Sequence, residues 1–189
     1  MSSPQSPRGS ARQRVLEASL ELFSQHGVAG TSLQMIADRI GVTKAAIYFQ
    51  FRTKEEILAA LLESPLTDLL QVLEDAEEET NSVRRAEIVL SGLIDTVLAH
   101  RRGTSVLMRD PGAVLALKQS QTFVRLRGRL EELLLGPRAT IEERVRFVVV
   151  MGGLTQVGVS PLLAELDDSV LRPLLQDVCC QILESHPRG

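Results

Sequence analysis

The sequence predicts an all-α protein: an N-terminal three-helix helix-turn-helix domain followed by a C-terminal helical domain. Three observations predict it. Apolar residues recur at three- and four-residue spacing in segment after segment. Capping residues and glycines punctuate those segments where helices should start and stop. Nowhere does apolar and polar alternation between hairpin turns suggest a strand.

The opening MSSPQSPRGS is Ser/Pro-rich and lacks the apolar centre of a signal peptide, so residues 1–10 are expected to form a disordered arm. Ser10, with Gln13 at the capping-box position, opens a helix over residues 11–26. Val15, Ala18 and Leu22, flanked by Leu16, Leu20 and Phe23, give it a broad apolar face, and Gly27 ends it. Thr31 or Ser32 then caps a short helix; with Thr31 as cap, Gln34 completes a capping box. Leu33, Ile36, Ala37 and Ile40 form its buried stripe, and Gly41 supplies the left-handed residue that stops it. Thr43 caps a second short helix, whose Ile47 and Phe51 face back to the first. Thr53 with Glu56 opens the next helix. Two short helices around a glycine-containing turn are the geometry of a helix-turn-helix, whose second helix enters the DNA major groove.

These residues also carry a resemblance. GVTKAAIYFQFRTKEEIL resembles the recognition-helix signature of the tetracycline-repressor (TetR) family, and LFSQHGVAGTSLQMIADRIG resembles that family's first two helices. Gly27, Thr31-Ser32, Ile36-Ala37, Gly41-Val42, Tyr48, Phe51 and Lys54 fall in register. The close match covers residues 12–60; beyond it only the architecture agrees.

Residues 55–189 are expected to form the helical body. The helix from Lys54 should kink or split at Pro65, with Ser64 as a possible new cap. Its acid-rich end, Glu74 to Glu79, sits poorly against the helix dipole and demands basic partners. A helix from Ser82 should stop at Gly103. Asp110-Pro111 opens a short helix as cap and first residue, and residues 114–135 give one long helix ended by Gly136-Pro137. Thr140 with Glu143 caps a helix ending near Pro161, and Asp167 or Asp168 caps a last one to about Leu183.

Net charge is −3, but unevenly spread: +4 over residues 1–54, −9 over 55–83, +6 over 84–129 and −4 over the remainder. A basic N-terminal segment ahead of an acidic stretch fits DNA contact confined to one end. The two cysteines, Cys179 and Cys180, are adjacent and form no disulfide framework, which points to the cytoplasm. Residues 147–164 carry no charge, yet Thr155, Gln156, Ser160, Pro161 and three glycines interrupt them, so no membrane span is expected. His26, His100 and His186 are far apart, and neither metal-ligand spacing nor a phosphate loop appears. Paired Glu142-Glu143 lie on an ordinary amphipathic helix. No enzyme, cofactor or metal is expected.

For DNA binding, Lys44 and Ala45 are candidate base readers, to guanine O6/N7 and a thymine methyl, with Gln34 on the preceding helix. The resemblance implies phosphate contacts at Ser32, Thr43, Tyr48 and Lys54. Phe49 is a further candidate, its contact undecided, and Arg8 and Arg12 are candidates for a flexible arm. A homodimer is expected, since helix-turn-helix proteins present two copies one DNA turn apart. Its interface is assigned to the last two helices, at Val149, Gly152, Gly153, Leu174, Val178 and Ile182. The resemblance implies a sequence-specific repressor of double-stranded operator DNA, released by a small-molecule effector bound within the body. Met108, Phe123, Phe147 and Met151 are candidates to line that pocket. Arg101, Arg102, Arg109, Lys118, Arg125, Arg127 and Arg129 either receive an anionic effector or pair with the acidic 55–83 segment. The competing reading is a helical DNA-binding or protein-interaction regulator without an effector.

Overall fold

The computed structural model describes residues 7–184, apart from the side chains of residues 7–10, 102, 104, 106, 116 and 184. Among these residues the order is α1 (Pro7–Gly30), α2 (Leu33–Ile40), α3 (Lys44–Gln50), α4 (Lys54–Glu77), α5 (Ser82–Met108), α6 (Pro111–Gln119), α7 (Gln121–Leu134), α8 (Ile141–Val157), a 3-10 turn (Pro161–Leu163) and α9 (Asp168–Glu184), with no strand. No helix among them is long and apolar enough to cross a membrane.

α1 starts at Pro7, ahead of the expected cap, because a proline's fixed φ and missing N–H suit a first helical turn. The arm expected over residues 1–10 is therefore helical from residue 7; its first six residues lie outside the described ones. Ser10 lies inside α1 rather than ahead of it, and Gln13 donates to Glu17 Oε1 at 3.1 Å. Arg12 belongs to the helix rather than to a flexible arm. The backbone leaves helical geometry at Gly27 (φ 70°, ψ 166°), a conformation glycine adopts at little cost, so the predicted stop is a break within α1.

Four further expectations are corrected. α4 continues through Pro65 without a new start at Ser64. Leu62 and Leu66, each buried, hold the chain on both sides of the missing N–H. α5 runs past Gly103 to Met108, where buried Leu107 outweighs the roughly 1 kcal/mol helix cost of one glycine. The single helix over residues 114–135 is two: Ser120 accepts from Phe123 N and opens α7. The Thr53 hydroxyl accepts from Glu56 N as a cap should, but the Glu56 carboxylate returns to Arg52 N at 2.7 Å, one residue short of a reciprocal box. Two further local signals hold. Asp110 Oδ1 accepts from Ala113 N at 2.9 Å ahead of Pro111, and Thr140 with Glu143 forms a complete capping box.

The chain divides into two compact units. The first comprises residues up to Leu62 together with Val106–Leu117. Phe23, Ile36, Ile47, Phe51 and Ile57 are its most enclosed large side chains. Leu107 and Ala113 join that core, supplying apolar cover that three short helices lack. The second unit comprises Glu63–Ser105 and residues from Lys118 onward, with Leu73, Val89, Ile94, Leu130, Val150 and Leu154 at its centre.

Ion pairs stitch the second unit. Arg129 donates to Glu77 Oε1 at 2.7 Å and lies 3.6 Å from Glu74, supplying the cation that the acidic end of α4 required. The Glu77 hydrogen bond is the main reason its guanidinium holds its proton above the usual arginine range. Arg172 makes a two-pronged contact with Asp95 and also reaches Ser91. Buried Arg101 donates to the Leu163 and Leu166 carbonyls and pairs with Asp168 at 2.8 Å, tying α5 to the turn before α9. Arg127 pairs within its own helix, with Glu131. Of the basic cluster, Arg129 thus reaches into the acidic segment, as the pairing alternative requires.

Candidate functional site

The site is built on α2 and α3. Ser32, in extended geometry, accepts from Met35 N at 3.2 Å and is the cap of α2. Thr31 is not: its buried hydroxyl donates to Gly27 O at 2.8 Å, pinning the turn from α1. The Thr31–Gln34 capping box is therefore absent, and Gln34 donates to Asp38 Oδ1 at 2.7 Å. Gly41, at φ 70° and ψ 37°, closes α2 with its own N–H on Asp38 O, while Val42 N reaches Ala37 O. Thr43 then caps α3, accepting from Ala46 N at 3.3 Å.

α3 is short and two-faced. Ile47 is fully buried, and Phe51 beyond it is 2% exposed, beneath the Arg12 guanidinium at 4.4 Å. Lys44 and Ala45 face solvent, Tyr48 is 46% exposed and Phe49 93%. The Lys44 ammonium lies 5.4 Å from the Tyr48 ring centroid, so the two form one outward cationic and aromatic patch. Ser32 and Thr43 accept from main-chain N–H groups and keep their O–H groups as donors. Lys54 is less free than its exposed neighbours: Nζ donates to Val28 O at 2.6 Å and approaches Ala29 O at 3.4 Å, satisfying the end of α1. Arg39 pairs with Glu21 across the first unit, a contact that spacing along the chain does not reveal.

The remaining predicted residues separate into two groups. On α8, Val149 is 53% exposed and Gly152 and Gly153 are open, with nothing near where a Cβ would stand. On α9, Leu174 and Val178 are about half exposed, and Ile182 is partly covered. Val145, Val148 and Val170 extend this apolar surface. Of the four proposed pocket residues, Phe147 lines one of the described grooves. Met108 packs on the core of the first unit. Phe147 lines an open groove of about 830 Å³ beside Leu135, Arg144 and Val148. Phe123 and Met151 are only partly buried and line none of the second unit's described grooves. Long flexible and aromatic residues read along a helix do not reveal which neighbours leave a void.

Comparison with known proteins converges on this geometry. The family model of tetR-family bacterial regulatory proteins matches residues 15–61, which span the helix-turn-helix and its supporting core. The fold of the whole chain matches PfmR, a TetR-family regulator of Thermus thermophilus, with a TM-score of 0.69 at 21% identity, over 93% of this chain and 100% of that one. Residues 15–61 carry the DNA-binding domain of the TetR family. The regulator AcrR of Shigella flexneri is 40% identical over 95 residues, 48% of this chain and 44% of AcrR. The chain thus spans less than half the length of the curated relatives it matches. FadR of Bacillus subtilis, solved in complex with stearoyl-CoA, shares the fold at a TM-score of 0.60 and 17% identity, over 88% of this chain and 96% of that one.

Proposed function

We propose that this chain is a homodimeric transcriptional repressor of the TetR family that binds a specific double-stranded operator and leaves it when a small molecule occupies the body. The observation that carries the proposal is the two-faced α3: Ile47 is locked into the core while Lys44, Ala45, Tyr48 and Phe49 stand outward. A recognition helix needs that combination, because a base contact requires a side chain at the groove floor and a helix that does not shift. Lys44 is assigned to guanine O6/N7 and Ala45 to a thymine methyl. Tyr48 and the hydroxyls of Ser32 and Thr43 are assigned to phosphates, which fix register. Lys54 serves phosphate with whatever donor capacity its carbonyl contacts leave.

Dimerisation follows from the exposed α8–α9 face. Val149, Leu174 and Val178 stand exposed on these two helices beside the open Gly152 and Gly153, and an apolar surface of that kind marks an interface. Two copies would present their α3 helices about 34–36 Å apart, one DNA turn. Release by an effector requires that the ligand favour one arrangement of the dimer. The stearoyl-CoA complex of FadR, which shares the fold, supports a ligand site in the body.

Selection of binding sites from a random duplex pool tests this reading. A palindromic site with half-sites one turn apart is expected, with affinity falling steeply as salt rises. Absence of any preferred duplex at low salt would overturn it.

A further inference from the structure

A second groove, of about 510 Å³, lies at the end of the second unit where the start of α5, the end of α7, the start of α8 and the end of α9 meet. Leu90, Leu133, Leu134 and Leu183 make it largely apolar. Arg85 stands among them, half-buried, and its Nε is fully enclosed with no hydrogen-bond partner among the described residues. Enclosing one N–H of a guanidinium without an acceptor is costly, so Arg85 Nε in this state marks a missing acceptor. Helix stability does not explain the residue: Arg85 lies in the first turn of α5, where the dipole disfavours cations, and that turn holds no acid. The free N–H groups of that turn do not compensate either, since Asn81 Oδ1 already accepts from Val83 and Arg84 N.

The neighbouring charges narrow the ligand. Arg146 also lines the groove but is taken by Glu142. Glu87, Glu132 and Glu143 line it as well, and the Glu143 carboxylate is engaged by the Thr140 cap. Three carboxylates beside two guanidiniums oppose a dianion such as a phosphate monoester more strongly than a monoanion. We propose that this groove binds an amphipathic monocarboxylate, its carboxylate forked on Arg85 and its apolar body against the leucines. The fork of donors on a guanidinium matches a carboxylate, and the volume suits a small ligand. The proposal concerns binding alone and does not depend on the reading of the chain as a repressor.

Titration calorimetry of the full chain with octanoate tests it, with octan-1-ol as the uncharged probe of the same tail. Saturable binding of octanoate and not of octan-1-ol is expected. Arg85→Gln should weaken it about 10- to 100-fold, the range a hydrogen bond to a charged group is worth, while Arg84→Gln, one residue away and exposed, should not. If Arg85→Gln fails to fold, Arg85→Lys, which keeps the charge and loses the fork, is read instead, and weaker binding is expected. Failure of octanoate to bind the wild type, equal binding of octan-1-ol, or unchanged binding in the Arg85 variant would overturn the proposal.

Discussion

Ile47 and Lys44 sit three residues apart on α3 and have opposite tasks, which separates their mutants. Ile47→Ala empties a fully buried position and should cost about 2–5 kcal/mol of the first unit's stability, read by thermal melting. Lys44→Ala removes an exposed side chain, should leave the melt unchanged, and should relax preference at one base position in a binding-site selection. An unchanged selected motif would strike Lys44 from the base readers. Lys54→Ala should do two things at once. It forfeits a charged hydrogen bond to Val28 O, worth about 1–3 kcal/mol, and it weakens binding to all duplexes by a similar factor. The Thr43 cap and the outward direction of Lys44 were legible because register with the capping residue fixes which way each points. The acceptor for Lys54 was not, because Val28 is 26 residues away in sequence and only folding makes them neighbours.

At the scale of the element, single side-chain caps were the dependable signal, while reciprocal boxes and isolated breakers were not. Thr43, Thr140 and Asp110 act as caps because a side-chain oxygen three residues from an orphan N–H reaches it whatever the rest of the fold does. Thr140→Ala should therefore cost about 1 kcal/mol. Gly103 and Pro65 failed as stops because a helix buried on one face recovers more from packing than one residue loses. Two glycines make opposite predictions. A Cβ at Gly92 would run into the branched Val72 side chain, so Gly92→Ala should destabilise by about 1–3 kcal/mol. Gly152 meets nothing within 4 Å, so Gly152→Ala should leave the chain's own fold intact and weaken self-association alone. Melting curves beside sedimentation equilibrium distinguish the two; a Gly152→Ala variant that melts early would remove the glycine from the interface.

For the whole molecule, the segmental charges and the apolar α8–α9 face decide the behaviour. Leu174→Glu together with Val149→Glu should yield a folded monomer by sedimentation equilibrium, with operator affinity lost because one recognition helix supplies only half the contacts. Retained dimers would move the interface elsewhere. The basic segment proved to be divided in its use. Arg129 neutralises the acidic end of α4, and Arg101 braces the turn before α9. Arg85, which no sequence motif singles out, has an enclosed nitrogen with no partner among the described residues.

By itself the sequence determined the all-α class, the order of most helices and the helix-turn-helix with its outward residues. These depend on periodicity and caps, interactions that span fewer than about five residues. Only the tertiary structure decided that residues 106–117 complete the first unit and that Arg85 lines a leucine-rich groove with its Nε unpartnered among the described residues. Those facts turn on which distant segments meet and what space they leave, and a one-dimensional pattern carries no record of either.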